Sequence, residues 1–276
     1  MTQAIRVGAV MYDPKVSVIW EIIGDFFESL SCPIDVVFYD TYELQVTALA
    51  KGTIDIAWNS PLAWLDAQRR TSGRCRAIAM RDTDRDRVSH IIGRTDGPVR
   101  SLADLRGRAI AVGALDSPQA TLIPLELLRE HGIDPHRDLE ITRSDLLVGK
   151  HGDHVGGELE AFRVLERHDA MACAMLDLNW EAWTSDGTID SGAFEVKAST
   201  GQFDHCVFTA RPQLDPGAER QWLDALFSMR YDDPAHRQMM DLESLREWLP
   251  GRTTGFRALS AAVLAEGFFE SRTTSR

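Results

Sequence analysis

The sequence is poor in cysteine: Cys32, Cys75, Cys173 and Cys206 are the only four, and they are spread over the whole chain. No CxxC and no zinc-finger spacing occurs among them, so reduced thiols packed in a core are expected rather than a disulfide framework or a structural zinc module. Long apolar runs are missing as well. The apolar stretches are short and broken by charge, which excludes a membrane-spanning helix. A basic stripe is also lacking: 30 Lys and Arg stand against 42 Asp and Glu, a net charge of −12. Nucleic acid and anionic membrane surfaces are therefore poor partners. Residues 1–10, MTQAIRVGAV, hold one Arg and no sustained apolar run before a small-residue cleavage site. The chain as given is expected to be cytoplasmic, or periplasmic or lipid-anchored if it has been trimmed. There is no GxSxG, no HExxH, no Gly-rich phosphate loop and no internal repeat.

What is present is an alternation of strands and helices. Val7 to Val10 read as a strand, Asp13-Pro14 as a helix start, and Ile19, Ile22, Ile23, Phe26, Phe27 and Leu30 as the apolar face of that helix. Ile34 to Phe38 form a second strand, Asp40 to Glu43 open a second helix, and Ile54 to Trp58 form a third strand that ends at Asn59-Ser60-Pro61. This βαβαβ order predicts a mainly parallel sheet. Strands at Arg76–Met80 and Val88–Ile92 continue it, and the polar segment from Gly93 to Gly97 reads as a crossing. A second α/β unit follows, with strands at 109–112 and near 138–143, 169–175 and 193–198, and helices after Ser117-Pro118, near 157–166 and near 178–185. Residues 1–94 and 199–276 are thus expected to form one lobe and residues 95–198 the other, with the tail as helices. A ligand cleft between two lobes is expected, at the carboxyl ends of the strands.

Three segments carry a resemblance to a known family. Tyr42 to Leu65 (YELQVTALAKGTIDIAWNSPLAWL), Ser101 to Pro124 (SLADLRGRAIAVGALDSPQATLIP) and Gly149-Lys150-His151 resemble, in order and spacing over residues 5–210, the phosphonate- and phosphate-binding proteins of ABC importers. The resemblance implies the type 2 periplasmic-binding-protein fold, a small polar ligand that is anionic or zwitterionic, no required cofactor, and a transporter as partner. It also implies site residues. Tyr42 matches the family's first binding tyrosine, His151 its histidine, and Asp177 the acid that meets a ligand amine. The family's hydroxyl cluster at a helix start falls on Ser117-Pro118-Gln119-Ala120, which keeps one hydroxyl, and its second tyrosine falls on Arg87.

Read by their own chemistry, further residues join these. Met11 and Tyr12 follow the first strand, and Asn59 and Ser60 end the third, where amide, hydroxyl and helix-start N–H groups can meet a ligand; Ser60 also reads as a simple helix cap. The charged run Arg81 to Arg87 is a solvated loop on its simplest reading, with Arg87 able to offer a fork to a carboxylate or phosphate. The segment Lys150 to Glu158 packs His151, Asp153, His154 and Glu158 among three glycines. It reads as a ligand clamp, as capping groups, or, joined by His205, as a metal or acid/base site for Fe or Zn. That last reading supports an alternative function: an enzyme on the same scaffold acting on a small polar metabolite beside biosynthetic partners, as menaquinone-pathway dehydratases and thiamin-pyrimidine synthases do on this fold.

Overall fold

The computed structural model describes residues 4–151 and 157–271. In chain order these form β1 (Ile5–Val10), α1 (Lys15–Ser29), β2 (Ile34–Tyr39), α2 (Tyr42–Lys51), β3 (Ile56–Asn59), α3 (Pro61–Arg70), β4 (Arg76–Arg81), β5 (Ser89–Arg94), β6 (Ala109–Val112), α4 (Ile123–Glu130), α5 (Pro135–Asp138), β7 (Glu140–Arg143), α6 (Glu158–Glu166), β8 (Ala172–Leu176), α7 (Asp177–Ser185), β9 (Phe194–Ser199), β10 (Val207–Ala210), α8 (Pro216–Phe227), α9 (Pro234–Leu242), β11 (Trp248–Pro250), α10 (Arg257–Ala265) and α11 (Phe268–Ser271). No helix is long and apolar enough to cross a membrane among the described residues.

The chain divides into two compact units, Met1–Arg85 with Asp204–Gly255, and Asp86–Phe203 with Phe256–Arg276. Unit 1 holds a six-stranded sheet ordered β11-β4-β10-β3-β1-β2, in which β1 pairs in parallel with β2 and β3 while β10 and β11 run antiparallel to their neighbours. Unit 2 holds a five-stranded sheet ordered β7-β6-β8-β5-β9, with β6 parallel to β7 and β8 and β5 antiparallel to β8 and β9. Both sheets are mixed because β10 and β11 in the first, and β5 in the second, run against the parallel set.

Local sequence accounts for the elements. Ile19, Ile23 and Phe27 bury one face of α1 against the unit 1 core, the i, i+4 spacing of an amphipathic helix. Thr41, one residue later than the capping box predicted from Asp40, caps α2 by accepting from the Leu44 N–H, and Gly52 ends that helix in the left-handed conformation. Trp58, Phe208 and Trp248 meet in the centre of the unit 1 core, with the Trp58 and Phe208 rings 4.5 Å apart. All four cysteines are buried. In unit 2, burial and then the nearby Glu158 carboxylate push the Cys173 thiol far above its ordinary range, so it stays protonated.

The unit boundaries differ from the expected ones in three places. β5 was expected in the first lobe but takes all its strand partners in the second sheet, which moves the first crossing to Arg85/Asp86. The chain returns to unit 1 after Phe203 rather than near residue 199, and it leaves again after Gly255. The last helices therefore belong to unit 2, where Glu266 pairs with Arg129 of α4 and, at 3.0 Å, with His136 of α5. Sheet membership and helix docking depend on contacts remote in sequence, which periodicity does not encode.

Candidate functional site

Each unit holds a set of buried polar side chains at one edge of its sheet, where the parallel strands end and the antiparallel strand begins. In unit 2 this edge collects Ser89 at the start of β5, residues 113–117 after β6, Ser144 and Asp145 after β7, Asp177 after β8 and Thr200 after β9. Polar groups buried here must find partners. The Ser89 hydroxyl donates to the Gln119 carbonyl at 2.6 Å, and the Ser89 N–H donates to the Thr200 hydroxyl at 2.9 Å.

After β6 the chain does not enter an ordinary α-helix. Residues Pro118–Leu122 form a π turn before α4, with the Leu122 N–H donating to the Ser117 carbonyl at 3.0 Å and the Ser117 hydroxyl accepting from the Ala120 N–H at 3.2 Å. Such wide turns are common at functional sites. Ser117 and Gln119 are fully buried. Asp116, also buried and not singled out from sequence, accepts from the Gly149 N–H at 2.6 Å and so ties this turn to the segment that ends in His151. Its position directly before Ser117 was the available signal. His151 is buried and sits at φ +56°, a left-handed conformation uncommon outside glycine. Arg87 and Asp177 lie side by side, Nη1 to Oδ2 at 3.4 Å, and Asp177 also accepts from the Leu178 N–H.

The expected metal set is divided. Asp153 and His154 lie outside the described residues. Glu158 is fully buried as the first residue of α6, and its Oε2 accepts from the Leu176 N–H at 2.9 Å and from the Asn179 amide at 2.8 Å. That carboxylate therefore ties the end of β8 and the start of α7 to α6, a structural role that its place in the sequence did not reveal. Gly157, just before it, has φ +83°, and a Cβ there would stand 2.2 Å from the Ser144 carbonyl oxygen. Only glycine fits that approach. His205 belongs to unit 1 whereas His151 and Glu158 belong to unit 2.

In unit 1 the corresponding edge holds Met11 and Tyr12 after β1, Tyr42 at the start of α2, Asn59 and Ser60 after β3, and residues 81–84 and 205–206. Met11 and Tyr12 are half-buried against the core, and Tyr42 is fully buried. The Asn59 amide donates to the Thr209 hydroxyl at 2.9 Å and accepts from Gln45 at 2.8 Å. Ser60 caps α3 by accepting from the Ala63 N–H at 3.1 Å.

The charged run after β4 is not the solvated loop its composition suggests. Arg81 and Asp84 are 4% and 2% exposed. The Arg81 guanidinium donates to both Asp84 oxygens, at 2.7 and 2.8 Å, donates to Glu243 at 2.7 Å, and lies over the Trp58 ring. Burial opposes ionisation of Asp84, but Arg81 outweighs it and holds the carboxyl far below the ordinary range. Asp84, His205 and Cys206 bring ligand-type atoms within 4.8 Å of one another. A cation placed there would face the Arg81 guanidinium, so the donor set suits the internal ion pair better than a metal.

A two-sheet α/β fold of two units, with polar strand-end edges, is the architecture of bilobed solute-binding proteins. The profile of the family described as ABC transporter, phosphonate, periplasmic substrate-binding protein matches residues 13–260. The chain belongs to this family, and solute binding is its function class. Among solved structures, PhnD1 from Prochlorococcus marinus in complex with methylphosphonate matches with TM-score 0.73 at 15% identity, over 96% of this chain and 98% of that one. XAC2383 from Xanthomonas citri bound to ATP matches with TM-score 0.73 at 17% identity, over 96% and 98%. The periplasmic aliphatic sulphonate binding protein SsuA from Escherichia coli matches with TM-score 0.61 at 18% identity, over 100% and 95%. At these identities the likeness is one of fold.

Proposed function

We propose that the protein binds a small anionic or zwitterionic solute and passes it to an ABC transporter, with the unit 2 edge supplying the contacts that recognise the solute's charged groups. The observation that carries this reading is the Arg87–Asp177 pair beside the buried Ser117–Gln119 turn. A guanidinium and a carboxylate side by side complement a zwitterion, the carboxylate or sulphonate of the solute to Arg87 and its amine to Asp177. Ser117 and His151 are further contacts to the acidic group. Pro118 has no N–H to give, so the turn suits a singly charged group better than a dianion. The similar proteins named above are bound to methylphosphonate or ATP, or are named for aliphatic sulphonates, all of them anions. Solute binding needs no cofactor in this account.

The test is thermal shift and calorimetry with methylphosphonate, ethanesulphonate and a panel of α-amino acids. Arg87→Gln and Ser117→Ala are expected to weaken binding of the best solute by about tenfold each, roughly 1.4 kcal/mol, with the unliganded melting temperature kept within a few degrees. A solute response identical in both variants and the parent would remove the assignment.

A further inference from the structure

Unit 2 has a second recessed surface at the opposite edge of its sheet. Where β5 ends and β6 and β8 begin, a solvent-open pocket of about 320 Å3 is lined by Arg94, Asp96, Pro98, Val99, Arg108 and Met171. That volume is within the range of small-molecule sites. The length of β5, at about 3.3 Å per residue, puts roughly 17 Å between Ser89 and Arg94, so this pocket is separate from the edge that carries Arg87 and Ser117.

Two arginines, Arg94 and Arg108, stand in its wall. In a chain of net charge −12, Arg106 and Arg137 meet Asp138, Arg129 meets Glu266, and Arg163 meets Glu166. Arg108 makes no ion pair within 4 Å among the described residues; the one hydrogen bond of its guanidinium runs from Nε to the Asp104 carbonyl at 2.8 Å, and its charge also acts on the Asp104 carboxylate. Arg94 is oriented by Phe194, whose ring centroid lies 4.9 Å from the guanidinium carbon, and by the Glu166 carbonyl at 3.4 Å. Its nearest carboxylate, Asp96, stands 3.9 Å away with a side chain 87% exposed.

We propose that this pocket binds the phosphoryl group of a small phosphorylated metabolite, with Arg94 and Arg108 as its guanidinium partners and Pro98, Val99 and Met171 against the remainder of the molecule. Two guanidinium forks offer donors to the oxygens of a phosphate monoester, with the exposed Asp96 carboxylate 3.9 Å from Arg94 offsetting part of their charge. A monocarboxylate offers fewer oxygens to the two forks. Bare phosphate would leave most of the volume and the apolar wall uncovered. Asp96 at the rim disfavours a second anionic group and favours a hydroxyl or amine there.

Calorimetry at low salt with AMP, glucose 6-phosphate and inorganic phosphate tests this, together with amide NMR shifts of Val99, Ala170 and Met171. At least one monoester is expected to bind at least tenfold more tightly than inorganic phosphate, to shift those three amides, and to weaken as salt rises. Arg108→Gln, at an exposed position, is expected to cost at least tenfold in affinity without moving the unliganded melting temperature, and Arg94→Gln to do the same. No binding of either monoester at millimolar concentration, equal affinity for inorganic phosphate, or unchanged affinity in Arg108→Gln would overturn the proposal. None of these outcomes depends on the solute bound at the other edge.

Discussion

Replacing Asp84 by Asn removes a buried charge that Arg81 grips at two oxygens. In the parent, Asp84 accepts from Arg81 Nε at 2.7 Å, from Arg81 Nη2 at 2.8 Å and from the Cys206 N–H at 3.1 Å. The amide keeps one oxygen and turns an NH2 donor toward other donors. The guanidinium is then left with Glu243, at 2.7 Å, as its acidic partner. Breaking a buried pair from one side costs about 3–5 kcal/mol, and at roughly 2–4 °C per kcal/mol for a domain of this size unit 1 should melt about 6–20 °C lower. The pH dependence carries a second signature. A carboxyl depressed in the folded state stabilises it fully above the unfolded value, about pH 4, and loses that contribution as the pH falls below it. The parent should therefore lose stability below about pH 4 more steeply than Asp84→Asn. Scanning calorimetry from pH 7 to pH 3 reads both effects. A variant melting within about 2 °C of the parent, with the same acid slope, would refute the buried-pair account.

Two further substitutions test unit 2. Gly157→Ala places a Cβ against the Ser144 carbonyl at φ +83° and should destabilise unit 2 by about 1–3 kcal/mol in urea unfolding; a neutral result would mean that the approach of residues 144 and 157 is not held. Glu158→Ala leaves the Leu176 N–H and the Asn179 amide without their acceptor and should cost about 2–4 kcal/mol, while elemental analysis of parent and variant gives the same metal content. Loss of a stoichiometric metal on this substitution would show Glu158 to be a ligand.

The elements were legible where local pattern decides them. The period of Ile19, Ile23 and Phe27, the proline-led starts at Pro61 and Pro118, and the apolar runs of β1 to β3 all fall where periodicity and capping place them. Sheet membership was not legible: β5 is an apolar run like β4, and only its partners put it in unit 2. β11 escaped notice because three residues carry no period. At the site, Ser117, Gln119, His151, Arg87 and Asp177 were singled out through the family resemblance, and Arg87, expected in the first lobe, lies in unit 2. Arg81 and Asp84 were hidden by composition. An alternating-charge run reads as solvated until its partners Glu243 and Trp58, from distant parts of the chain, are known to cover it.

The central claim, that the protein holds a small charged solute, is tested most directly by native mass spectrometry of freshly purified protein, followed by release and identification of whatever it carries, with Arg87→Gln alongside. The account predicts one organic anion or zwitterion per chain, retained by the parent and depleted in the variant. A parent that carries nothing and takes up none of the phosphonate, sulphonate or amino-acid panel at millimolar concentration would contradict it.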